Sequence, residues 1–165
     1  MGDRVYVRIR IKASDREAFF RAARADGPDF NKETGDPCEG AFAEDCVADE
    51  SENDGIVMFG FEEVNYAGAC DIDIIASRGV IFEGEHDAGD NYGSYCFVSD
   101  GREAHQIEQG YDISSEMAPV SGAFDEFGIV HIVVHGPQEA LKNYFRAKRI
   151  AERHMNADGK SSWDK

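Results

Sequence analysis

The order of hydrophobic patterns along this chain predicts an α+β fold, a ferredoxin-like antiparallel sheet with helices packed on one face and long acidic loop insertions. An alternating strand comes first and is followed by a helix, several short strands fill the middle, and a strand and an amphipathic helix close the chain. With 165 residues, 42% of them hydrophobic, the chain can bury one core. We expect a single domain over residues 1–158, with an acidic insertion at about 27–55 and a polar tail over residues 159–165.

The first strand and the first helix have the clearest signals. Residues 4–12 alternate between β-branched apolar residues and polar or basic ones, which is typical of a strand with one buried face. Ser14 then opens a helix, and Glu17 stands three residues later, as in a capping box. The Asp-Gly-Pro sequence at 26–28 should end this helix.

The middle of the chain contains short elements separated by turn residues. The alternation within residues 69–77 is compatible with a strand or a helix. A short helix is preferred for residues 69–77 because Arg78-Gly79 resembles a helix C-terminus. A polar turn is expected over residues 85–93. The apolar runs that predict strands lie at 55–64, 80–82, 95–98 and 104–108.

The C-terminal part predicts a strand and a long helix. Residues 129–134 are rich in β-branched side chains, and Pro137 stands where a helix begins. The helix that follows has a broad apolar face and a narrow basic stripe opposite it. The stripe consists of Lys142, Arg146, Arg149 and Arg153, and the apolar face of Ala140, Leu141, Tyr144, Phe145, Ala147 and Ala151.

Charge is sorted along the sequence. Residues 26–137 contain 26 of the 33 acidic residues and only three basic ones, which gives this stretch a net charge of −23, whereas both flanks are net positive. A uniform acidic excess would indicate salt adaptation, and the basic flanks argue against it. The negative electrostatic potential of residues 26–137 should repel nucleic acid and attract proteins that bind nucleic acid. The alternative is an ordinary solvated acidic surface.

Carboxylates two residues apart in a strand lie about 6.6 Å apart on one face and can stand in for a row of phosphates. We therefore expect a basic partner to contact an acidic surface, and we predict no catalytic residues, no metal ligands and no cofactor. The predicted partner-binding residues are Glu44, Asp45, Asp49, Glu50, Glu52, Asp54, Glu83, Glu85, Asp87 and Asp90.

A small metal- or ligand-binding enzyme centred on the loop from Glu83 to Tyr92 is the alternative function. Carboxylates there could bind calcium or magnesium, but the spacing is not that of an EF-hand. His131 and His135 would be about 13 Å apart along a strand, too far for one zinc ion.

The four cysteines form no Cys-x-x-Cys pair, so reduced thiols are expected, with a Cys38–Cys46 bridge as the alternative. The sequence shows no signal peptide and no membrane-length apolar run, which predicts a cytoplasmic protein of a host bacterial cell. Direct binding to nucleic acid is not expected, because Arg8 and Arg10 should pair with carboxylates in the molecule or across a homodimer.

Three short segments carry a resemblance to small uncharacterised proteins of phages and plasmids. They are Glu63-Val64-Asn65-Tyr66-Ala67, Gly79-Val80-Ile81-Phe82 and His86-x-x-Gly89-x-x-Tyr92. In size and charge the chain also resembles the acidic DNA-mimic anti-restriction and anti-CRISPR inhibitors. These resemblances imply a non-enzymatic inhibitor from a mobile element that blocks a nuclease complex of the host by mimicking nucleic-acid phosphates.

Overall fold

In the part of the chain that the structure describes, six strands form one antiparallel sheet, and three α-helices pack against it. The computed structural model describes residues 4–24, 40–89, 93–108 and 138–156. None of the helices in these ranges is long and apolar enough to cross a membrane. The elements in chain order are β1 (Arg4–Lys12), α1 (Arg16–Ala23), β2 (Val47–Asn53), β3 (Ile56–Asn65), α2 (Ala69–Ser77), β4 (Ile81–His86), β5 (Tyr95–Asp100), β6 (Ala104–Glu108) and α3 (Gln138–Met155).

The first strand of the chain lies in the middle of the sheet. The strand order is β2-β3-β1-β4-β5-β6, so β1 pairs with both β3 and β4, while β2 and β6 are the edges among the described strands. Every pairing is antiparallel. The predicted α+β class with an antiparallel sheet is confirmed.

The larger core lies between the sheet and the pair α1 and α2. Val7, Ile9 and Ile11 of β1 are fully buried there, as their alternation predicts. The ring of Phe19 in α1 stacks on Phe59 of β3 with 5.7 Å between centroids. Burial of such side chains contributes roughly 1.5–3 kcal/mol each, which fixes the helix pair on this face.

Helix α3 covers the opposite face of the sheet. Phe97 belongs to the core under α1 and α2, whereas its neighbour Val98 packs in a second cluster with Leu141 and Ala147 of α3. Successive side chains of a strand point to opposite faces, so the two clusters lie on the two sides of the sheet. The prediction that the helices share one face is therefore right for α1 and α2 and wrong for α3.

The start of α1 differs from the predicted capping box. Residues Ala13–Asp15 form a 3-10 turn, and the helix proper begins at Arg16 without a side-chain cap. Ser14 lies inside that turn and so is not in the extended conformation that an N-cap residue adopts.

The most important correction concerns the predicted acidic insertion. Within residues 40–55 the chain forms a 3-10 turn (Glu44–Cys46) and the edge strand β2, not a loop. Asp54 and Gly55 connect β2 to β3 with φ values of 51° and 78°, the conformation of a tight type I′ hairpin turn. Residues 27–39 of the predicted insertion lie outside the described residues.

Several other predicted elements are confirmed. The helix over 69–77 and the strand over 104–108 have the predicted bounds. Strand β4 is longer than predicted, because pairing with β5 continues to His86, where a polar turn was expected. The predicted strand over 129–134, the histidines within and after it, and the polar tail lie outside the described residues.

Candidate acidic docking surface

The sheet ends on one side in a strand whose exposed side chains are mostly acidic. Strand β2 pairs only with β3 along the described chain, and from Ala48 to Asn53 all its residues are exposed. We call its carboxylates and those of the adjoining turns the acidic edge: Glu44, Asp45, Asp49, Glu50, Glu52 and Asp54. All six are exposed, so the structure gathers six of the ten predicted site residues along one margin of the molecule.

The acidic edge presents carboxylates on both faces of the sheet. Glu50 is paired with Phe59 and therefore points to the face that carries α1, and Glu52 follows it on the same side. Asp49 is paired with Gly60 and points to the other face. Asp54 lies in the hairpin turn, so the predicted regular row of Glu50, Glu52 and Asp54 is limited to its first two members.

Arg16 at the start of α1 clamps two carboxylates of the acidic edge. Its Nε and Nη2 donate to the two carboxylate oxygens of Glu50 at 2.9 and 3.1 Å, and its Nη1 donates to Glu44 at 2.8 Å. The guanidinium also lies over the ring of Phe20, 5.0 Å from its centroid. These hydrogen bonds lower the pKa of Glu50 and raise that of Arg16. A bidentate pair of this kind is stronger than a simple surface ion pair.

Tyr6 holds a third carboxylate from the other face. Its hydroxyl donates to Asp49 Oδ2 at 2.7 Å, and this bond raises the pKa of Tyr6. The tyrosine reaches across β3 because Gly60 has no side chain: a Cβ there would lie 1.9 Å from the Tyr6 oxygen. In the described part of the chain, Asp45, Asp49 and Glu52 form no ion pair.

The carboxylates of β4 have a different environment, because they lie beside the arginines of β1. Glu83 has only 9% of its side chain exposed and pairs with both Arg10 and Lys148. Arg8 approaches Glu85 at 3.4 Å and Asp87 at 3.3 Å. The expected pairing of Arg8 and Arg10 with carboxylates of the same molecule is confirmed. Contact of Glu83, Glu85 and Asp87 with a partner stays a prediction, and these cations reduce the negative potential that such a partner would meet.

Glu83 also lines a cavity of about 190 Å³ between the sheet and α3. Arg8, Arg10, Tyr144 and Lys148 are among the other lining residues. Burial, more than any neighbouring charge, raises the pKa of Tyr144. Because its lining contains both acidic and basic groups, we interpret this cavity as part of an ion-pair cluster between α3 and the sheet. Ligand binding by the loop from Glu83 to Tyr92 stays a prediction.

The loop after β4 is described in part. His86 is buried, its ring stacks on Tyr95 with centroids 5.4 Å apart, and its Nδ1 lies 2.8 Å from the carbonyl oxygen of Asp87. Asp90 and Tyr92 lie outside the described residues. Among the described residues, no three His, Cys, Asp or Glu side chains are grouped closely enough to hold a metal ion.

Three cysteines lie within the described residues, and none of them forms a disulfide. They are Cys46, Cys70 and Cys96, so Cys46 takes part in no bridge, and Cys38 lies outside the described residues.

Sequence reasoning did not identify Arg16, Tyr6 or Lys148 as partners of the acidic residues. No local pattern could reveal the Arg16–Glu50 pair, because its members are 34 positions apart.

Comparison of the chain with protein-family models, with curated proteins and with solved structures found no match. Its functional interpretation therefore depends on the surface and its electrostatics.

Proposed function

We propose that this chain is a non-enzymatic inhibitor whose acidic edge takes the position of nucleic-acid phosphates on a basic, nucleic-acid-binding surface. The observation that supports the proposal best is the location of six exposed carboxylates on an edge strand and its turns. An edge strand has one side unobstructed by neighbouring strands, so a groove on a partner can receive it.

The proposed contact surface is narrower than the sequence predicted. Three residues of the acidic edge, Asp45, Asp49 and Glu52, form no ion pair with the described residues, and they supply most of the attraction. The β4 carboxylates contribute less, because Arg8, Arg10 and Lys148 lie against them. The difference between the two groups of carboxylates follows from Coulomb's law, since a nearby opposite charge cancels most of the field of a carboxylate a few ångströms further out.

The spacing of the charges favours a partner groove for a single strand. From the turn at Glu44 to the hairpin tip, the edge extends roughly 30 Å, estimated from the rise of 3-10 and extended backbone. All six carboxylates over that length give roughly one charge per 5 Å before the compensation by Arg16 is counted, compared with one per 3.4 Å along one DNA strand and one per 1.7 Å along a duplex. A groove that binds single-stranded nucleic acid or one strand of a displaced duplex fits this density best.

The proposal places the protein in a bacterial cytoplasm, as the product of a mobile element acting on a defence nuclease of the anti-CRISPR or anti-restriction type. The acidic composition and the resemblance to phage and plasmid proteins support this setting. Encounter should be fast and strongly reduced by salt, because charge steers association.

The finer fold assignment is also a proposal. We infer that β1, α1, β2, β3, α2 and β4 form a ferredoxin-like core to which β5, β6 and α3 are added. The order β2-β3-β1-β4, with each of the two helices connecting strands that have another strand between them, supports this arrangement.

The proposal is tested by capture and competition. The purified chain is used to capture proteins from lysates of bacteria that carry defence systems, and a captured nuclease complex is then tested for binding of labelled single-stranded and duplex DNA. We expect the chain to displace single-stranded DNA at low salt, with the effect disappearing in roughly 0.5 M salt, where the Debye length falls below about 5 Å.

A pair of double variants separates the acidic edge from total charge. Asp45→Lys with Glu52→Lys reverses two charges of the acidic edge, and Asp73→Lys with Glu103→Lys reverses two exposed carboxylates on α2 and beside β6. Both change the net charge by the same amount. Only the first should weaken competition, by tenfold or more, since each reversal of a close charge pair costs about 1 kcal/mol or more. Equal losses in both variants would exclude the acidic edge as the contact surface.

A further inference from the structure

A cavity of about 300 Å³ lies at the end of the sheet where β1 finishes and β4 begins. Its walls come from one side of α1, from the turn between α2 and β4, and from the C-terminal part of α3. Cavities of this volume are at the small end of the range in which proteins bind small molecules.

The polar lining of this cavity is mainly basic, in contrast to the chain as a whole. Arg21, Arg78 and His154 line it together with one carboxylate, Asp15. His154 Nε2 is hydrogen-bonded to Asp15 Oδ2, and because a carboxylate only accepts, the imidazole must donate. Asp15 thus has a hydrogen-bond donor in His154, and the two arginines outnumber this one carboxylate in the lining of the cavity. In a chain with a net charge of −16, this local excess of positive groups points to an anionic ligand.

Arg78 is held in place by backbone acceptors. Its Nη1 donates to the carbonyl oxygens of Ala22 at 2.7 Å and Arg24 at 2.8 Å, at the C-terminal end of α1. These two bonds use the protons of Nη1, and no other described residue accepts from Nε or Nη2. A guanidinium fixed in this way offers two parallel N–H groups to a carboxylate or phosphate without a further loss of side-chain entropy.

Arg21 supplies a second cation. It pairs with Glu17 one turn earlier in α1, but both side chains are largely exposed, at 71% and 87%. Such an exposed pair is weak, so a ligand can recruit Arg21 at little cost.

The remaining walls are apolar. Ala18 and Ala22 of α1 and Val80 and Ile81 at the start of β4 face the cavity. Their small or branched side chains leave room for a short hydrocarbon or aromatic body beside the basic groups. We propose that this cavity binds a small organic anion, with its carboxylate or phosphate group on Arg21 and Arg78 and its apolar body against Ala22, Val80 and Ile81.

This site is distinct from the acidic edge. At 100° per residue, Ala18, Arg21 and Ala22 lie on the side of α1 opposite Arg16, which faces the acidic edge. The proposal therefore does not depend on the proposed inhibitory function, and either can fail without the other.

The test is a titration of the full chain followed by amide chemical shifts at constant ionic strength. The probes are phenyl phosphate and benzoate, with inorganic phosphate and benzyl alcohol as partial analogues. We expect saturable shifts in residues 15–22, in residues 78–81 and at His154 with the two organic anions. Inorganic phosphate should bind at least tenfold more weakly, and benzyl alcohol should cause no saturable shift at these residues.

Three variants separate the cavity from general charge effects. Arg21→Gln removes an exposed cation of the site, and Ala18→Leu fills the cavity from an exposed helix position without changing the charge. Each should lower the affinity for both organic anions at least tenfold. Arg4→Gln, which removes a largely exposed arginine on β1, should leave the affinity unchanged.

Several results would overturn the proposal. They are the absence of saturable shifts at millimolar probe, equal affinity for benzyl alcohol, and equal loss of affinity in Arg4→Gln and Arg21→Gln. Inorganic phosphate binding as tightly as phenyl phosphate would also overturn it, because the apolar wall would then contribute nothing.

Discussion

Arg16 is the residue on which the acidic edge depends most directly. It is the first residue of α1, where the helix dipole disfavours a positive charge. Two ion pairs and two aromatic rings compensate: Glu44 and Glu50 accept its hydrogen bonds, and Phe20 and Phe59 lie beneath its guanidinium. The side chain thus fastens the edge strand to the helix that covers the core.

The Arg16–Glu50 pair predicts a specific pH dependence. The pKa of Glu50 is lowered in the folded state, so the pair adds stability above the ordinary carboxyl pKa and loses it as pH falls through the lowered value. Glu50→Gln should therefore reduce the free energy of unfolding near pH 7 by up to about 1 kcal/mol, a limit set by the exposure of the pair. Urea denaturation should show the difference closing below about pH 4.

Asp71 provides a control, because its contribution to stability should change with pH in the opposite direction to that of Glu50. Burial at the start of α2 raises its pKa, so its folded-state contribution is larger at low pH and is lost as pH rises through the raised value. Asp71→Asn should keep or increase stability near pH 7, with the difference shrinking in acid. A constant loss at every pH in both variants would show that the charges of these groups do not determine their contributions.

At the scale of elements, an ion-pair cluster joins α3 to the sheet. Glu83 of β4 lies between Arg10 of β1 and Lys148 of α3, with little of its side chain exposed. Removing one member of a buried cluster leaves the other charges without a partner. The same strand offers a matched position, because Glu85 points to the same face but pairs with Arg8 nearer to solvent.

We predict that Glu83→Gln lowers the free energy of unfolding by about 2–3 kcal/mol, below the loss for a fully buried pair because both cations reach solvent. Glu85→Gln should cost less than about 1 kcal/mol. Equilibrium denaturation with matched protein concentrations measures both. Similar small losses in the two variants would mean that apolar packing of Leu141, Tyr144 and Ala147 alone holds α3 in place.

Elements that bury one face can be predicted from the sequence, whereas an element with both faces exposed cannot be recognised from its hydrophobic pattern. Strand β1 has strict alternation because one face meets the core, and its bounds were predicted correctly. Strand β2 was missed because both its faces are exposed, so it needs no apolar residues at alternate positions. For α3 the apolar stripe indicates a buried side, but a stripe does not say which face of the sheet it meets.

The candidate site was likewise predicted only in part from the sequence. The sequence identifies the acidic residues and their density, and it predicts that Arg8 and Arg10 pair internally. It does not indicate that Tyr6 and Arg16 hold the acidic edge, because those contacts join residues 28–43 positions apart through tertiary packing.

For the whole molecule, repulsion between like charges opposes attraction within ion pairs. The net charge of −16 favours expansion, while Arg8, Arg10 and Arg16 each bind carboxylates in the fold. Salt screens both effects, but the exposed ion pairs contribute little individually. The long-range repulsion should therefore dominate the response to salt.

We expect the melting temperature to rise by several degrees when sodium chloride is raised from about 10 mM to about 300 mM, a range over which the Debye length falls from roughly 30 Å to below 10 Å. Scanning calorimetry at constant pH measures this, with a neutral osmolyte of equal osmolality as the control. A fall in melting temperature would mean that the ion pairs outweigh the repulsion.

The composition of β2 also limits what the sheet can do with copies of itself. An unpaired strand edge is a template on which another chain can add a strand, the first step towards fibrils. Here such an addition would bring two rows of carboxylates within about 5 Å of each other, which is strongly unfavourable while they are ionised. We therefore expect the acidic edge to oppose strand addition at neutral pH, and to oppose it less in acid as its carboxylates take up protons.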